Sequence, residues 1–279
     1  MVTDSLGASN PKQFSLTINA APVVSTTSLP STTSGLVYSQ TLTNTGGTSP
    51  FTWNTTGLPS WLTLNGATLA GTAPSVSVPT PYAFSVTVTD TAGAASQPQA
   101  LSVTVNPVLT ITTGSTLGPW TATRPFSTTI SATGGVSPYQ FMDAGNTLPS
   151  WLTITTAGVL SGTPPSANTY TFTIKVTDSQ GTSTAQSFSL LINPVPSVST
   201  TSLPSTTSGA TYSQTLTNTG GTSPFTWNTT GLPSWLTLNG ATLSGTAPAV
   251  TSSTQYSFSV TVTDTAGAVS QPQALSVTV

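Results

Sequence analysis

One segment of the chain occurs twice, almost unchanged. Residues 23–105 return at 197–279, shifted by 174 positions, and about ten of roughly eighty aligned positions differ. A more diverged copy lies between them, because the motif Leu-Pro-Ser-Trp-Leu occurs at Leu58–Leu62, Leu148–Leu152 and Leu232–Leu236. Self-similarity on this scale predicts a tandem array of whole domains, since solenoid units are only about 20–50 residues long.

The composition excludes several kinds of site. The 279 residues include three Lys or Arg, five Asp and no Glu, His or Cys, and the net charge is −2. Such a chain has no disulfide or thiolate metal site and no basic surface for nucleic acid. It also has no apolar run of the roughly 18 residues that membrane insertion needs. Acid–base catalysis requires titratable side chains within mutual reach, so we expect no enzymatic activity and no cofactor in this segment.

Alternation of apolar and polar residues predicts an all-β chain. Phe84, Val86 and Val88 alternate with Ser and Thr, and a second alternating run follows a glycine-containing turn. One apolar and one polar face are typical of a strand that covers a core. Each copy is therefore predicted to end in an antiparallel hairpin, whose remaining core-facing residues are Leu101, Val103, Val105; Phe172, Ile174, Val176, Phe188, Leu190, Ile192; and Phe258, Val260, Val262, Leu275, Val277, Val279.

Proline-containing linkers mark the predicted domain boundaries. Pro22, Pro107 and Pro194 follow the last strand of a unit, and proline cannot continue a strand ladder. We therefore divide the chain into an N-terminal segment (1–21), repeat 1 (22–107), repeat 2 (108–195) and repeat 3 (196–279). Linkers of a few residues predict an extended array.

The N-terminal segment is similar to the final hairpin of a unit. Val2 to Gly7 matches residues 176–181, and Phe14, Leu16 and Ile18 match the last strand. Two interpretations stay open at this point. The segment is either part of a truncated domain in a longer array, or a strand donated to a sheet of another molecule.

The motifs carry a family resemblance. Leu58–Leu64 (LPSWLTL), Leu69–Pro74 (LAGTAP) and Tyr82–Gly93 resemble the Putative Ig domains of bacterial and archaeal surface proteins, which are similar to dystroglycan-type cadherin-like domains. The resemblance covers three full copies and one partial copy. It implies tandem immunoglobulin-like β-sandwiches that serve as surface stalks, adhesins or assembly modules, sometimes beside catalytic domains.

The aspartates are the strongest candidates for metal binding. Asp4, Asp90, Asp178 and Asp264 each follow a Val-Thr pair, and cadherin-like relatives bind Ca²⁺ between domains. Hard cations need several clustered oxygen ligands, whereas each of these residues stands alone before a turn. An Asp in that place can instead bond the backbone amides of the turn. We expect turn capping, with Ca²⁺ binding at Asp90, Asp178 and Asp264 as the alternative.

Aromatic and asparagine residues are further candidates for ligand contact and for glycosylation. Trp61, Trp151 and Trp235 occupy the same place in every copy, which favours packing, whereas Trp120 has no counterpart in the outer copies and is predicted to contact a ligand. Asn54 and Asn228 satisfy the pattern of a glycosylation acceptor.

These observations favour a structural or adhesive role outside the cell. We expect a non-catalytic segment of a secreted or cell-surface protein that forms a stalk, fibre or filament. Its expected partners are other copies of itself, neighbouring repeats, and surface glycans or proteins. The alternative is an array of carbohydrate- or ligand-binding modules that accompanies a secreted enzyme or an adhesin head.

Overall fold

The computed structural model describes residues 2–279, which form strands, turns and loops without a helix. Accordingly, the described chain contains no helix that could cross a membrane. It divides into two compact units. Unit 1 extends through Leu109 and includes Gly134–Val136, whereas unit 2 comprises Thr110–Thr133 and Ser137–Val279. The all-β prediction is confirmed.

Unit 1 contains the N-terminal segment and repeat 1. Two short strands form a hairpin in the N-terminal segment: β1 (Val2–Thr3) and β2 (Ser9–Asn10). Repeat 1 contains nine strands: β3 (Val23–Val24), β4 (Thr32–Thr33), β5 (Val37–Thr41), β6 (Asn44–Thr45), β7 (Thr52–Thr56), β8 (Leu62–Asn65), β9 (Thr68–Thr72), β10 (Thr80–Thr89) and β11 (Gln99–Asn106).

Repeat 1 is a sandwich of two main sheets. One has the strand order β4-β11-β10-β7, the other the order β5-β9-β8, and β3 pairs with β6. Val86, Val88 and Val103 project from the first sheet and are 0% exposed, as is Leu69 from the second. These residues belong to one hydrophobic cluster. The predicted alternation therefore places one face of each strand in the core.

Unit 2 contains most of repeat 2 and all of repeat 3, which are built in the same way. The strands of repeat 2 are β12 (Thr110–Ile111), β13 (Thr116–Thr121), β14 (Phe126–Thr129), β15 (Ala132–Thr133), β16 (Gln140–Asp143), β17 (Leu152–Ile154), β18 (Val159–Gly162), β19 (Asn168–Thr177) and β20 (Ser183–Asn193). Those of repeat 3 are β21 (Ser197–Val198), β22 (Thr211–Thr215), β23 (Asn218–Thr219), β24 (Thr226–Thr230), β25 (Leu236–Asn239), β26 (Thr242–Thr246), β27 (Gln255–Thr263) and β28 (Gln273–Thr278).

The repeats differ at one sheet edge. In repeat 1, β4 pairs in parallel with β11, and in repeat 2, β13 pairs in parallel with β20 across an irregularity between Leu117 and Trp120. The corresponding edge of repeat 3 has a hydrogen bond from Thr206 N to Thr278 O at 2.9 Å, and its sheet has the three strands β24-β27-β28.

The Trp-Leu and Gly-Thr motifs meet in space. The Trp61 ring lies edge-on between the rings of Tyr38 and Tyr82, at centroid distances of 6.0 and 5.7 Å. A Cβ atom at Gly71 would lie 1.8 Å from Trp61 O, a distance that no side chain allows. Glycine in the Leu-x-Gly-Thr motif therefore lets β9 approach the backbone at Trp61. The half-buried Trp61 ring has the packing contacts that the sequence favoured.

The N-terminal segment departs from the predicted strand. Asp4 N donates to Ala8 O at 3.0 Å in the turn of the β1–β2 hairpin. The stretch that matches a final strand forms none, and Phe14, Leu16 and Ile18 are 86–87% exposed. A strand needs a neighbouring strand and a core to bury its apolar face, and the described chain gives this stretch neither.

Candidate functional site

An aspartate organises the turn that follows the penultimate strand of each repeat. Asp264 Oδ1 accepts a hydrogen bond from Ala268 N at 2.8 Å, and Asp264 O accepts one from Gly267 N at 3.0 Å. Asp90 Oδ1 accepts from Ala94 N at the same distance of 2.8 Å. A carboxylate that receives backbone amides fixes the turn conformation.

The other two aspartates act similarly. Asp178 Oδ1 accepts from Gln180 N at 3.0 Å and from Thr182 N at 2.8 Å, while Asp4 Oδ1 accepts from two amides of its own turn. Within residues 2–279, no group of three or more His, Cys, Asp or Glu side chains is close enough to share a metal ion. The turn-capping prediction agrees with these hydrogen bonds, and Ca²⁺ binding stays an untested prediction.

Asp264 has a further partner, which comes from the preceding repeat. Asp264 Oδ2 accepts hydrogen bonds from Thr222 N at 3.0 Å and from the hydroxyl of Thr121 at 2.5 Å. Thr121 ends β13 of repeat 2, whereas Asp264 follows β27 of repeat 3. Thr121 is 0% exposed and Asp264 is 6% exposed. This hydrogen bond therefore joins two sandwiches of unit 2 away from water.

The side chains around this bond form a chain of hydrogen bonds with one direction. Thr121 Oγ1 lies 2.8 Å from Thr222 Oγ1, which accepts from Asn193 Nδ2 at 3.2 Å. The amide nitrogen can only donate and the carboxylate can only accept. Protons are therefore donated from Asn193 to Thr222, from Thr222 to Thr121, and from Thr121 to Asp264. We call these four side chains the junction network.

Arg124 forms a second contact across the same junction. Its Nε donates to Ala266 O in the Asp264 turn at 3.2 Å. Arg124 is the one arginine in the sequence, and Leu36 and Ala210 occupy the corresponding positions of the outer repeats. The backbone carbonyl of a turn thus receives a charged donor, which gives a stronger hydrogen bond than a neutral one.

The loop that carries Thr121 and Arg124 has an unusual backbone. Thr123 has a φ of 64°, which is uncommon for a β-branched residue. The outer repeats have glycine there, Gly35 and Gly209, with φ of 80° and 76°. Repeat 2 therefore adopts the same loop conformation without the residue that adopts it most readily.

Trp120 supports this loop from inside repeat 2. Its Nε1 donates to Arg124 O at 3.2 Å, and its ring packs edge-on against Phe126 at a centroid distance of 6.0 Å. The side chain is half-buried. These contacts place the tryptophan beside the junction, and the predicted contact of Trp120 with a ligand stays untested.

Repeat 1 carries the same threonine in a different setting. Thr33 corresponds to Thr121 and is 1% exposed, and its Oγ1 has no hydrogen-bond partner in the described chain. A buried hydroxyl without a partner costs free energy. The comparison shows that the loop itself does not require the hydrogen bond that Thr121 makes.

Both predicted glycosylation acceptors lie on strand surfaces. Asn54 on β7 and Asn228 on β24 are exposed and pair with Thr87 and Thr261 of the neighbouring strands. Both side chains are open to solvent, and their glycosylation stays a prediction.

Sequence reasoning missed the junction network. Thr121 and Thr222 are two of many threonines, and no spacing rule connects them across 101 residues. A signal was present in the diverged copy, since Arg124 replaces an uncharged residue of the outer copies and Thr123 replaces a glycine. These two substitutions lie together at the loop that contacts repeat 3.

Three solved structures are among those that match the chain. An I-band fragment of titin covers 92% of this chain and 98% of its own length, with 14% identity and a TM-score of 0.40. Extracellular domains 3–5 of Drosophila OTK cover 92% and 96%, with 16% identity and a TM-score of 0.34. An endo-fucoidan hydrolase of glycoside hydrolase family 107 shares 21% identity over 89% of this chain, with a TM-score of 0.35, and the match spans 42% of the hydrolase.

The sequence matches a known domain family three times. No curated protein matches the chain. The family model described as Putative Ig domain matches residues 21–106, 108–193 and 195–279. These matches include nearly all of repeats 1, 2 and 3, and the chain belongs to the Putative Ig domain family.

Proposed function

We propose that this chain is a structural segment of a secreted or cell-surface protein, in which tandem Ig-like domains form a stalk or fibre. The observation that supports the proposal is the junction network, where buried polar side chains of two successive domains bond each other. A hydrogen-bonded contact of this kind restricts the angle between repeats 2 and 3. A stalk needs such restriction to keep what it carries at a distance.

The surface chemistry suits an extracellular position. Charged residues make up 3% of the chain, far below the usual quarter or more of a protein surface. The half-buried outer positions that alternate with the core residues of β10 and β27 carry Ser and Thr instead. Hydroxyl groups do not titrate in the physiological range, so this surface keeps its character when pH and salt change.

The angular restriction can be measured directly. The chain lacks cysteine, so Thr153→Cys and Thr237→Cys place spin labels at corresponding exposed sites of repeats 2 and 3. We expect one narrow distance distribution, which broadens when Thr121→Val and Arg124→Ala remove the contacts across the junction. A broad distribution in the chain with the intact junction would contradict the proposed structural role.

The carbohydrate-binding alternative gives a different result in a separate experiment. Saccharide binding on a glycan array that is lost in Trp120→Ala, with unchanged thermal unfolding, would favour a ligand-binding array. We expect no such binding, because the Trp120 ring is used in packing against Phe126.

A further inference from the structure

One edge of the β27–β28 sheet in repeat 3 lacks a neighbouring strand along most of its length. Thr254 and Val279 exchange two backbone hydrogen bonds of 2.9 Å, and successive residues of a strand direct their N–H and C=O groups to opposite sides. Ser276 therefore directs its backbone groups away from β27, and its N–H has no hydrogen-bond partner within residues 2–279. The backbone bond found on this side of β28 is that from Thr206 N to Thr278 O. We call residues 274–278 the open edge of β28.

Repeat 2 shows what occupies the same edge. Ser189 corresponds to Ser276, and its backbone N donates to Ser115 O at 2.8 Å. Thr116 pairs in parallel with Ser189, and Leu117 pairs with the residue after it. The segment Ser-Thr-Leu of repeat 2 is thus an additional strand on β20. This edge of the sandwich therefore accepts an extended peptide in parallel orientation.

The corresponding segment of repeat 3 is shorter and is held away from the open edge. Thr113 and Thr200 mark the same point of the two repeats, since the hydroxyl of each accepts the corresponding backbone amide. Twelve residues lie between Thr113 and Phe126, but eleven lie between Thr200 and Tyr212. The Tyr212 hydroxyl also donates to Pro204 O at 3.2 Å, a bond that the phenylalanine of repeat 2 cannot make. These two differences leave the open edge without a strand of its own repeat.

A cavity lies between this segment and the open edge. Its volume is about 550 Å³, which is within the usual range for ligand-binding pockets. The polar part of its lining consists of serine and threonine side chains, and no charged side chain of the described chain lines it. A charge enclosed there would lack a partner, which is costly. The cavity therefore suits an uncharged ligand that packs on its apolar part, formed by Leu203, Phe258, Ala274 and Leu275.

We infer that repeat 3 binds an extended, uncharged peptide segment of a partner protein, which fills this cavity and adds to β28 as a parallel strand. The backbone N–H and C=O groups of Ser276 bond the peptide, and an aliphatic side chain of the peptide packs on Leu203 and Phe258. A peptide is favoured over a saccharide because the open edge presents amide and carbonyl groups at strand spacing, and because repeat 2 has a peptide strand there. The inference goes beyond the proposed structural role, since it adds a ligand to the array.

Repeat 1 has a second copy of the open edge. Ser102 corresponds to Ser276, and its backbone N likewise has no hydrogen-bond partner in the described part of the chain. The edge strand β4 pairs with β11 at Val105 and Asn106, beyond the open part. Tyr38 donates to Pro30 O at 3.3 Å, which repeats the bond of the tyrosine in repeat 3. We therefore expect a peptide site in repeats 1 and 3 and none in repeat 2.

Titration with the strand segment of repeat 2 tests the site by NMR. The probe is the acetylated and amidated peptide Thr-Gly-Ser-Thr-Leu-Gly-Pro, the sequence of residues 113–119, added to the full ¹⁵N-labelled chain. We expect saturable shifts of the Ser102 and Ser276 amide signals, while the Ser189 signal stays unchanged. At a peptide concentration about ten times the Kd, solvent exchange of both amides should slow about tenfold. Unchanged signals of Ser102 and Ser276 at millimolar peptide would overturn the inference.

Two controls locate the binding at the open edge. A peptide with N-methylleucine lacks the N–H group next to the threonine that pairs with the edge, so it should cause no shifts. In the chain, residues 114–119 replace residues 201–205 together with Tyr212→Phe, which gives repeat 3 the segment of repeat 2. We expect this variant to protect the Ser276 amide without peptide and to lose its response, while Ser102 still responds. A Ser276 amide that is protected in the variant and still responds to peptide would contradict binding at the edge.

A neutral oligosaccharide distinguishes the other class of ligand. Maltotriose carries no charge and offers hydroxyl groups to the same cavity. Shifts of the Ser257 and Ser276 amides with maltotriose, and none with the peptide, would assign the cavity to saccharides and overturn the inference. The spin-label distances between repeats 2 and 3 do not depend on this result, so the proposed function and the peptide site are tested separately.

Discussion

The Thr121 hydroxyl lies 2.5 Å from Oδ2 of Asp264, although 143 residues separate them in the sequence. The two residues belong to successive sandwiches, and both are buried. A hydroxyl–carboxylate hydrogen bond inside protein is stronger than one between neutral groups. The contact between repeats 2 and 3 therefore depends on a polar pair and not on apolar area alone.

Removal of the Thr121 hydroxyl should weaken this junction. Thr121→Val keeps the shape of the side chain and leaves the Thr222 hydroxyl and Asp264 without their shared partner. We expect the free energy of unfolding of repeats 2 and 3 to fall by about 1–3 kcal/mol. Hydrogen exchange should accelerate at Thr222 N and Ala268 N, while Thr121→Ser should keep most of the protection. Unchanged exchange at both amides in Thr121→Val would show that the bond does not hold the junction.

The corresponding change in repeat 1 should have the opposite sign. Thr33 Oγ1 is buried without a hydrogen-bond partner in the described chain, so Thr33→Val removes an unsatisfied polar atom and preserves volume. We expect no loss of stability and a gain of up to about 1 kcal/mol. Calorimetry of Thr33→Val and Thr121→Val under one set of conditions makes the comparison. A loss of similar size in both variants would mean that removal of the hydroxyl is costly whether or not it has a partner, and that the hydrogen bond to Asp264 does not decide the effect.

The strands could be predicted from the sequence because each depends on a local pattern. The alternation at Phe84, Val86 and Val88 marks their faces, and all three are buried. Turn capping by Asp90 could be predicted for the same reason, since its partner Ala94 lies only four residues away in the sequence. These features require no knowledge of how the domains pack.

The junction could not be predicted in this way. The bond between Thr121 and Asp264 exists only when a loop of one sandwich packs on a turn of the next, and a threonine-rich sequence offers many equivalent hydroxyls. The outer copies have no tryptophan at the position of Trp120. This residue lies beside the loop, where its indole N–H donates to Arg124 O. The segment through Phe14 and Ile18 forms no strand in the described chain, where no neighbouring strand covers its apolar side chains, and its assignment to a truncated domain or a donated strand stays a prediction.

A methyl group at Gly267 should test the Arg124 contact. The φ of 78° makes Gly267→Ala strained, and the new Cβ would lie 3.0 Å from Arg124 Nη2. Gly93 has a φ of 84° in the same turn of repeat 1, with nothing within 4 Å of its added Cβ. We expect Gly93→Ala to cost about 1 kcal/mol from backbone strain and Gly267→Ala to cost more, because Arg124 must move away from Ala266 O.

A double-mutant cycle isolates that difference. In the Arg124→Ala background, Gly267→Ala should cost the same as Gly93→Ala, since the neighbouring guanidinium is gone. Urea unfolding of the four chains of the cycle and of Gly93→Ala supplies the values. If Gly267→Ala still destabilises the chain more than Gly93→Ala in the absence of Arg124, the additional loss of stability arises in the turn and not at the junction.

Asp143 should make repeat 2 sensitive to acid. Burial raises the pKa of its carboxyl, but hydrogen bonds from Leu148 N, Thr147 N and the Thr147 hydroxyl outweigh this effect and hold the pKa below its ordinary value. A lowered pKa in the folded state contributes stability that is present above the unfolded pKa and is lost as pH falls through the folded pKa. We expect the stability of repeat 2 to decrease below about pH 4, and Asp143→Asn to flatten this dependence. A pH profile that is identical in both chains would remove Asp143 as the cause.

Tyr38 should make repeat 1 sensitive to alkali. Burial raises the pKa of its phenol to about 12, and its hydroxyl donates to Pro30 O at 3.3 Å. Because the folded state holds this proton more tightly than the unfolded chain, the contribution is complete below about pH 10 and is lost as pH rises toward 12. Tyr38→Phe should abolish this loss at a small cost from the missing hydrogen bond. Phe126, buried at the corresponding position of repeat 2, shows that the site accepts the ring without its hydroxyl. Alkaline unfolding of repeat 1 that is unchanged in Tyr38→Phe would contradict the assignment.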